Sequence, residues 1–127
     1  MSLARAILWL NAIGFIGFGA AFALSPQAMA ALVDIALPTP TARIDFSATY
    51  GGFELGVGGF LVACARRRDW VEPGLWAGAA ALAGFAVIRL LTLFTAGGAT
   101  TPIYVALALE ISGLALNLWG LRIIRRG

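Results

Sequence analysis

Four apolar runs divide this 127-residue chain, and each has the length of a helix that crosses a membrane. A bilayer has about 30 Å of hydrocarbon, which an α-helix crosses in about 20 residues. The runs show no two-residue alternation, so the strands of a membrane barrel are excluded. The runs cover residues 7–24, 46–65, 74–98 and 103–121.

The composition supports a protein that lies within a membrane. Hydrophobic residues make up 61% of the chain and charged residues 12%, whereas a soluble domain is about one-quarter charged. We therefore predict one all-α domain, residues 1–127: an integral membrane four-helix bundle with a short outer interfacial helix between helices 1 and 2. That short helix is predicted at residues 27–37, after Ser25-Pro26. The four long helices are predicted at about residues 4–24, 41–65, 73–97 and 102–123.

The basic residues predict the orientation of the chain in its membrane. Arg5 precedes the first helix, residues 66–68 are three arginines between helices two and three, and three more lie in residues 122–126. The opposite side carries Arg43 alone, so the positive-inside rule places both termini in the cytoplasm. Because these arginines lie at the ends of the apolar runs, we exclude nucleic acid as a partner. All nine basic residues are Arg, which favours a bacterial source with a GC-rich genome.

Two further features of the chain have simple interpretations. Arg5, the first apolar run and residues 28–30 together resemble a signal peptide, but the run is long for one. The chain begins at Met1, and we expect the first segment to be retained. Cys64 is the single cysteine and there is no His, so we expect no internal disulfide, no metal site and no cofactor.

Three ionisable residues lie well inside the apolar runs, namely Glu54, Arg89 and Glu110. Each would cost about 3 kcal/mol near the centre of a bilayer if it faced lipid. Counted from the outer ends of their helices, Arg89 and Glu110 both lie about 12 Å deep. We therefore expect the three side chains to converge in the outer half of the bundle.

Other polar residues extend this predicted core. Four residues of the second helix follow i, i+4, i+7 and i+11 spacing, which places them on one inward face. They are Arg43, Ser47, Tyr50 and Glu54. Asn117 shares a face of the fourth helix with Glu110, and we expect Asn11 of the first helix to lie close to Asn117.

The sequence leaves two interpretations of this polar core open. Arg89 could bridge both carboxylates through its planar guanidinium while Tyr50 donates to one of them, which would give a purely structural lock. The core could equally be a polar cavity that opens outward and admits a ligand headgroup or a proton. Two acids against one base leave one carboxyl group without a counter-ion, and such a group could hydrogen-bond a ligand or transfer a proton.

Small residues recur on the second helix in the pattern Ala48, Gly52, Gly56. Such a pattern permits two helices to approach closely. It predicts either packing within the bundle or a seam between two copies of the chain.

These residues together resemble a known family. The resemblance covers nearly the whole chain and rests on residues 43–45 (Arg-Ile-Asp), the block 48–52 (Ala-Thr-Tyr-Gly-Gly), Glu54, Gly56, Arg89 and Glu110. The family is that of small four-helix bacterial membrane proteins named domain of unknown function 4345. The resemblance implies a bacterial inner-membrane protein and supplies no catalytic residues.

We expect a protein that is not an enzyme and that binds a lipid or small amphipathic molecule in its polar intramembrane site, or that serves as an accessory subunit of a membrane assembly. Arg89 would hold an anionic or carbonyl headgroup, flanked by Glu54 and Glu110 and oriented by Tyr50. Membrane lipids are the expected partners, and a protein partner or further copies of the chain are additional candidates. The alternatives are an intramembrane enzyme with a Glu54–Glu110 acid–base pair and an oligomeric transporter.

Overall fold

The computed structural model describes the backbone of residues 2–126 and the side chains of residues 2–125. Over these residues the protein is an all-α four-helix bundle without strands, which confirms the predicted fold class. The first and last residues of the predicted domain 1–127 lie outside the described residues.

Four helices are long and apolar enough to cross a membrane. The second of them is continuous, but a π-helical segment divides it into three parts. A 3₁₀ turn, Arg68–Trp70, precedes the third. The elements are α1 Leu3–Leu24, α2 Pro26–Ala31, α3 Pro40–Phe46, the π-helical segment Ser47–Gly52, α4 Phe53–Arg66, α5 Val71–Ala96 and α6 Thr101–Arg126.

Local sequence signals set several of these helix ends. The hydroxyl of Thr39 accepts a hydrogen bond from the backbone N–H of Ala42 at 3.1 Å, and Pro40 occupies the first helical position. This is the N-cap arrangement that the Thr-Pro pair predicts. At the end of α5, Gly97 adopts φ +78°, a left-handed conformation that glycine enters without steric cost.

The short outer helix is present, but the prediction that it continues to Leu37 is wrong. α2 ends at Ala31 because the chain turns back through Asp34, which adopts φ 57°. The N–H of Ile35 then donates to the carbonyl of Ala30 at 2.9 Å, and the N–H of Asp34 donates to that of Ala31 at 3.3 Å. These two bonds form a Schellman motif with Asp in the position that Gly usually takes.

The tightly packed core lies at the end of the bundle that holds both termini. α1 packs along α4, and α5 packs along α6. The buried apolar residues of this core are Ala4, Ile7, Leu8, Ala12, Phe15, Leu61, Cys64, Ala65, Val71, Leu75 and Leu121. By contrast, residues 87–96 of α5 include no buried residue. The bundle is therefore closed at one end and less tightly packed at the other.

Glycines allow α1 to lie directly against the second membrane helix. A Cβ atom at Gly19 would lie 2.8 Å from the backbone nitrogen of Leu55, and one at Gly51 would lie 2.8 Å from that of Ala23. The packing prediction is wrong for Gly52 and Gly56, where an added Cβ would meet no atom within 4 Å. Both glycines are exposed and lie on a face of the helix that points away from the bundle.

Candidate functional site

Arg89 and Glu110 form a bidentate ion pair that joins α5 to α6. The Nε atom of Arg89 donates to both carboxylate oxygens of Glu110, at 3.1 and 3.0 Å, and Nη2 donates to Oε1 at 2.7 Å. Glu110 is only 8% exposed, whereas the Arg89 side chain is 26% exposed. Such a forked pair fixes both the distance and the orientation of the two side chains.

Glu54 stands apart from this ion pair. Its Oε2 atom is buried and has no hydrogen-bond partner among the described residues. Among the described residues the Arg89 guanidinium donates only to Glu110, so the bridge to both carboxylates, which was one of the two interpretations of the sequence, is not observed. Buried polar atoms nearly always have a partner, so Glu54 marks a place where one is missing.

A cleft of about 440 Å³ borders Glu54. The residues that line it are Thr49, Tyr50, Phe53, Glu54 and Phe85. Phe53 is 60% exposed and Tyr50 is 40% exposed. The cleft therefore opens on the lateral surface of the bundle, where lipid would lie. Its volume is within the range of small-molecule sites, about 300–1,000 Å³, which are likewise mostly apolar with a few polar groups.

The π-helical segment determines which side chains reach this cleft. The N–H of Phe53 bonds to the carbonyl of Ala48, five residues earlier, instead of four. The wider turn changes the angular phase of the helix, so the prediction that one face carries Arg43, Ser47, Tyr50 and Glu54 is wrong. Tyr50 and Glu54 line the cleft, whereas Arg43 and Ser47 line a separate groove beside Ala23 of α1. Single-turn π segments are frequent at functional sites.

Tyr50 contributes a wall of the cleft through its ring. Its ring centroid lies 4.5 Å from that of Phe46 and 5.5 Å from that of Phe22. No hydrogen bond joins the Tyr50 hydroxyl to a carboxylate in the part of the chain that the structure describes. Thr49, Phe53 and Phe85 were missed as site residues, although Thr49 and Phe53 directly precede Tyr50 and Glu54 in the sequence.

Asn11 and Asn117 form a second polar contact, between α1 and α6. Each amide nitrogen donates to the other's side-chain oxygen at 3.2 Å. Each also donates at 2.8 Å to the carbonyl one turn earlier on its own helix, that of Ile7 or Gly113. Asn117 is completely buried, so this pair is a structural lock at the closed end of the bundle and is separate from the cleft.

Replacing Asn117 by leucine should lower the free energy of unfolding by about 1–2 kcal/mol, because the amide of Asn11 then loses its partner. Thermal and denaturant unfolding in detergent would measure the change. The double variant Asn11→Leu/Asn117→Leu should recover part of the loss, since it leaves no unpaired amide. A double variant whose loss equals the sum of both single losses would contradict this account.

The donor types present give no support for a metal centre. Within residues 2–126, no group of three or more His, Cys, Asp or Glu side chains is placed to hold a metal ion. The polar atoms of the cleft are one carboxyl group and two hydroxyl groups, from Glu54, Thr49 and Tyr50. This set is suited to hydrogen bonding with the polar end of an organic molecule.

The comparisons with known proteins agree with the fold. The model of the family described as domain of unknown function (DUF4345) matches residues 3–121, and so includes every candidate residue named above. No curated protein and no solved structure matches the chain significantly. The four membrane-length helices and the extent of this match show that the chain is a helical membrane protein that belongs to the DUF4345 family.

Proposed function

We propose that the cleft beside Glu54 binds an amphipathic molecule from the membrane, whose polar end donates a hydrogen bond to the Glu54 carboxyl group. The observation that supports this most strongly is the buried Oε2 atom of Glu54, which has no partner in the described structure and belongs to a residue that lines a 440 Å³ cleft. A bound donor would satisfy this atom. The apolar part of the molecule would pack against Phe53 and Phe85.

The surrounding charges favour a neutral or cationic polar end. Arg89 is already occupied by Glu110 through three hydrogen bonds. A carboxylate or phosphate entering the cleft would therefore meet the carboxyl group of Glu54 without a free guanidinium to balance the charge. An alcohol or an amine would instead donate to Glu54. This differs from the expectation that Arg89 holds an anionic headgroup.

Entry to the cleft would take place sideways, from the lipid. Thr49, Tyr50 and Phe53 are exposed at the surface of the bundle. The arginine distribution predicts cytoplasmic termini, which would place the cleft in the outer half of the membrane. A molecule diffusing within the outer leaflet would then reach Glu54 without crossing the bilayer.

The enzyme alternative has less support from this geometry. An acid–base pair needs both carboxyl groups to exchange protons with a substrate. Glu110 is buried and fixed by Arg89, which leaves Glu54 as the one carboxyl group that lines the cleft. Assembly with a protein partner is compatible with ligand binding and stays a separate prediction.

Matched single-chain amphiphiles test the proposal. The protein in lipid nanodiscs would be titrated with an alkyl alcohol, an alkyl amine and an alkyl carboxylate of equal chain length, and its melting temperature recorded. We expect the alcohol and the amine to raise the melting temperature of the wild-type protein, and the carboxylate to have little effect. Glu54→Leu should remove the difference among the three, because it removes the acceptor while keeping an apolar side chain.

Glu54→Gln separates charge from hydrogen bonding in the same experiment. Its amide oxygen still accepts a hydrogen bond, so the alcohol should still raise the melting temperature of this variant. The amine should raise it no more than the alcohol does, because the negative charge is lost. Asp45→Asn is the matched control, because Asp45 is exposed on the same membrane helix and does not line the cleft. Stronger stabilisation of the wild-type protein by the carboxylate than by the alcohol would contradict the proposal.

A further inference from the structure

A second groove lies beside α1, on the surface of the second membrane helix, and it is distinct from the Glu54 cleft. Its volume is about 480 Å³. The residues that line it are Ala23, Arg43, Ile44, Ser47, Ala48, Gly52 and Leu55. None of them lines the Glu54 cleft. The only polar side chains of this lining are those of Arg43 and Ser47.

The charge of Arg43 is available at this groove. Arg43 is exposed, and no ion pair to it is present among the side chains that the structure describes. The nearest acid in sequence, Asp45, is two residues further along α3, about 200° around the helix, and is not part of the groove lining. The hydroxyl of Ser47 lies one helical turn from Arg43 and can donate a hydrogen bond to the same anion.

The length of the groove matches one leaflet of a membrane. From Arg43 to Leu55 the helix rises about 18 Å, while the hydrocarbon of one leaflet is about 15 Å thick. Arg43 lies in the first turn of its membrane helix, beside the connection that joins α2 to α3. The guanidinium of Arg43 therefore lies at the depth of the headgroups, and the apolar residues of the groove lie between it and the centre of the membrane.

We infer that this groove binds one anionic phospholipid, whose phosphate contacts Arg43 and Ser47 and whose acyl chain lies over Gly52 and Leu55. The groove is open at Gly52, because an added Cβ there meets no protein atom within 4 Å, so a larger side chain would extend into the space proposed for the acyl chain. A second copy of the protein fits less well. A two-fold axis along the membrane normal would bring the two Arg43 side chains to the same level, where like charges repel.

Native mass spectrometry of the detergent-solubilised chain tests this inference. The protein would be supplied with equal amounts of phosphatidylglycerol and phosphatidylcholine that carry the same acyl chains. We expect one phosphatidylglycerol to be retained preferentially. Arg43→Gln should reduce its retention about tenfold, the value of one charge-assisted contact, and leave that of phosphatidylcholine unchanged. Gly52→Leu should reduce the retention of both lipids.

Controls separate this site from general lipid binding and from the Glu54 cleft. Arg122→Gln removes an exposed arginine from α6, and Gly84→Leu fills an open position on α5; both variants should retain phosphatidylglycerol as the wild-type protein does. Glu54→Leu should also leave it unchanged. Equal retention by wild type and Arg43→Gln would overturn the inference. A wild-type dimer that Gly52→Leu dissociates would overturn it in favour of a second copy.

Discussion

Replacing Arg89 by alanine is expected to lower the free energy of unfolding by about 3–5 kcal/mol, which is the typical cost of removing one partner of a buried ion pair. The reason is the burial of Glu110, which is 8% exposed and would keep its carboxylate without the three hydrogen bonds that it now accepts. Reversible unfolding in mixed detergent micelles, followed by circular dichroism, would measure the loss.

Two further variants give this experiment its controls. Arg89→Ala/Glu110→Leu removes both charges, so it should be clearly more stable than Arg89→Ala alone. Arg68→Ala removes an exposed arginine from the 3₁₀ turn and should stay within about 0.5 kcal/mol of wild type. If Arg89→Ala unfolded at the same denaturant concentration as wild type, the ion pair would have no structural role.

The variant Gly19→Val should lower the free energy of unfolding by about 2–3 kcal/mol through overpacking. A Cβ atom at this position would lie 2.8 Å from the backbone nitrogen of Leu55 and 3.0 Å from the carbonyl oxygen of Gly51. Both atoms belong to the backbone of the neighbouring helix and cannot move without separating α1 from it. Unfolding in detergent again gives the measurement.

Gly17→Val is the matched control for this change. Gly17 lies on α1 two residues before Gly19, and an added Cβ there would meet no atom within 4 Å. Both variants carry the same helix-propensity change, so the difference between them isolates the contact between the helices. Equal stability of the two variants would show that α1 does not pack closely against the second membrane helix.

The four membrane helices could be predicted because hydrocarbon dictates their length and composition. A run of residues that must cross about 30 Å of lipid has few alternatives to a helix. The meeting of Arg89 and Glu110 could also be predicted, since equal depth on adjacent helices brings opposite charges together. Asn11 lies against Asn117 as expected, with side-chain contacts at 3.2 Å.

The division of the polar residues of the second helix between two faces could not be predicted. Counting residues at 3.6 per turn assumes a regular α-helix, whereas Ser47–Gly52 forms a π-helical segment. The extra residue in that turn separates Arg43 and Ser47 from Tyr50 and Glu54. The sequence Ser-Ala-Thr-Tyr-Gly-Gly has no pattern that specifies a π turn in advance. The early end of α2 was missed for a related reason, because Asp34 takes a conformation that Gly usually adopts.

The packing of the bundle relates directly to the proposed binding site. The closed end, with its apolar core and the Asn11–Asn117 pair, holds the four helices together. The other end can then keep a cleft beside Glu54 without loss of the fold. A ligand there would supply a partner for a polar atom that the protein itself leaves unpaired.

Photo-crosslinking in native membranes tests the central claim most directly. Phe85, which lines the Glu54 cleft, would be replaced by photoreactive benzoylphenylalanine, and the masses of the crosslinked adducts determined. The same replacement at Phe94, which is 81% exposed on the same helix, samples the surrounding lipid. We predict one discrete adduct at position 85 that disappears in the Glu54→Leu background, and a mixture of bulk lipids at position 94. The same mixture of bulk lipids at both positions would contradict a specific ligand in the cleft.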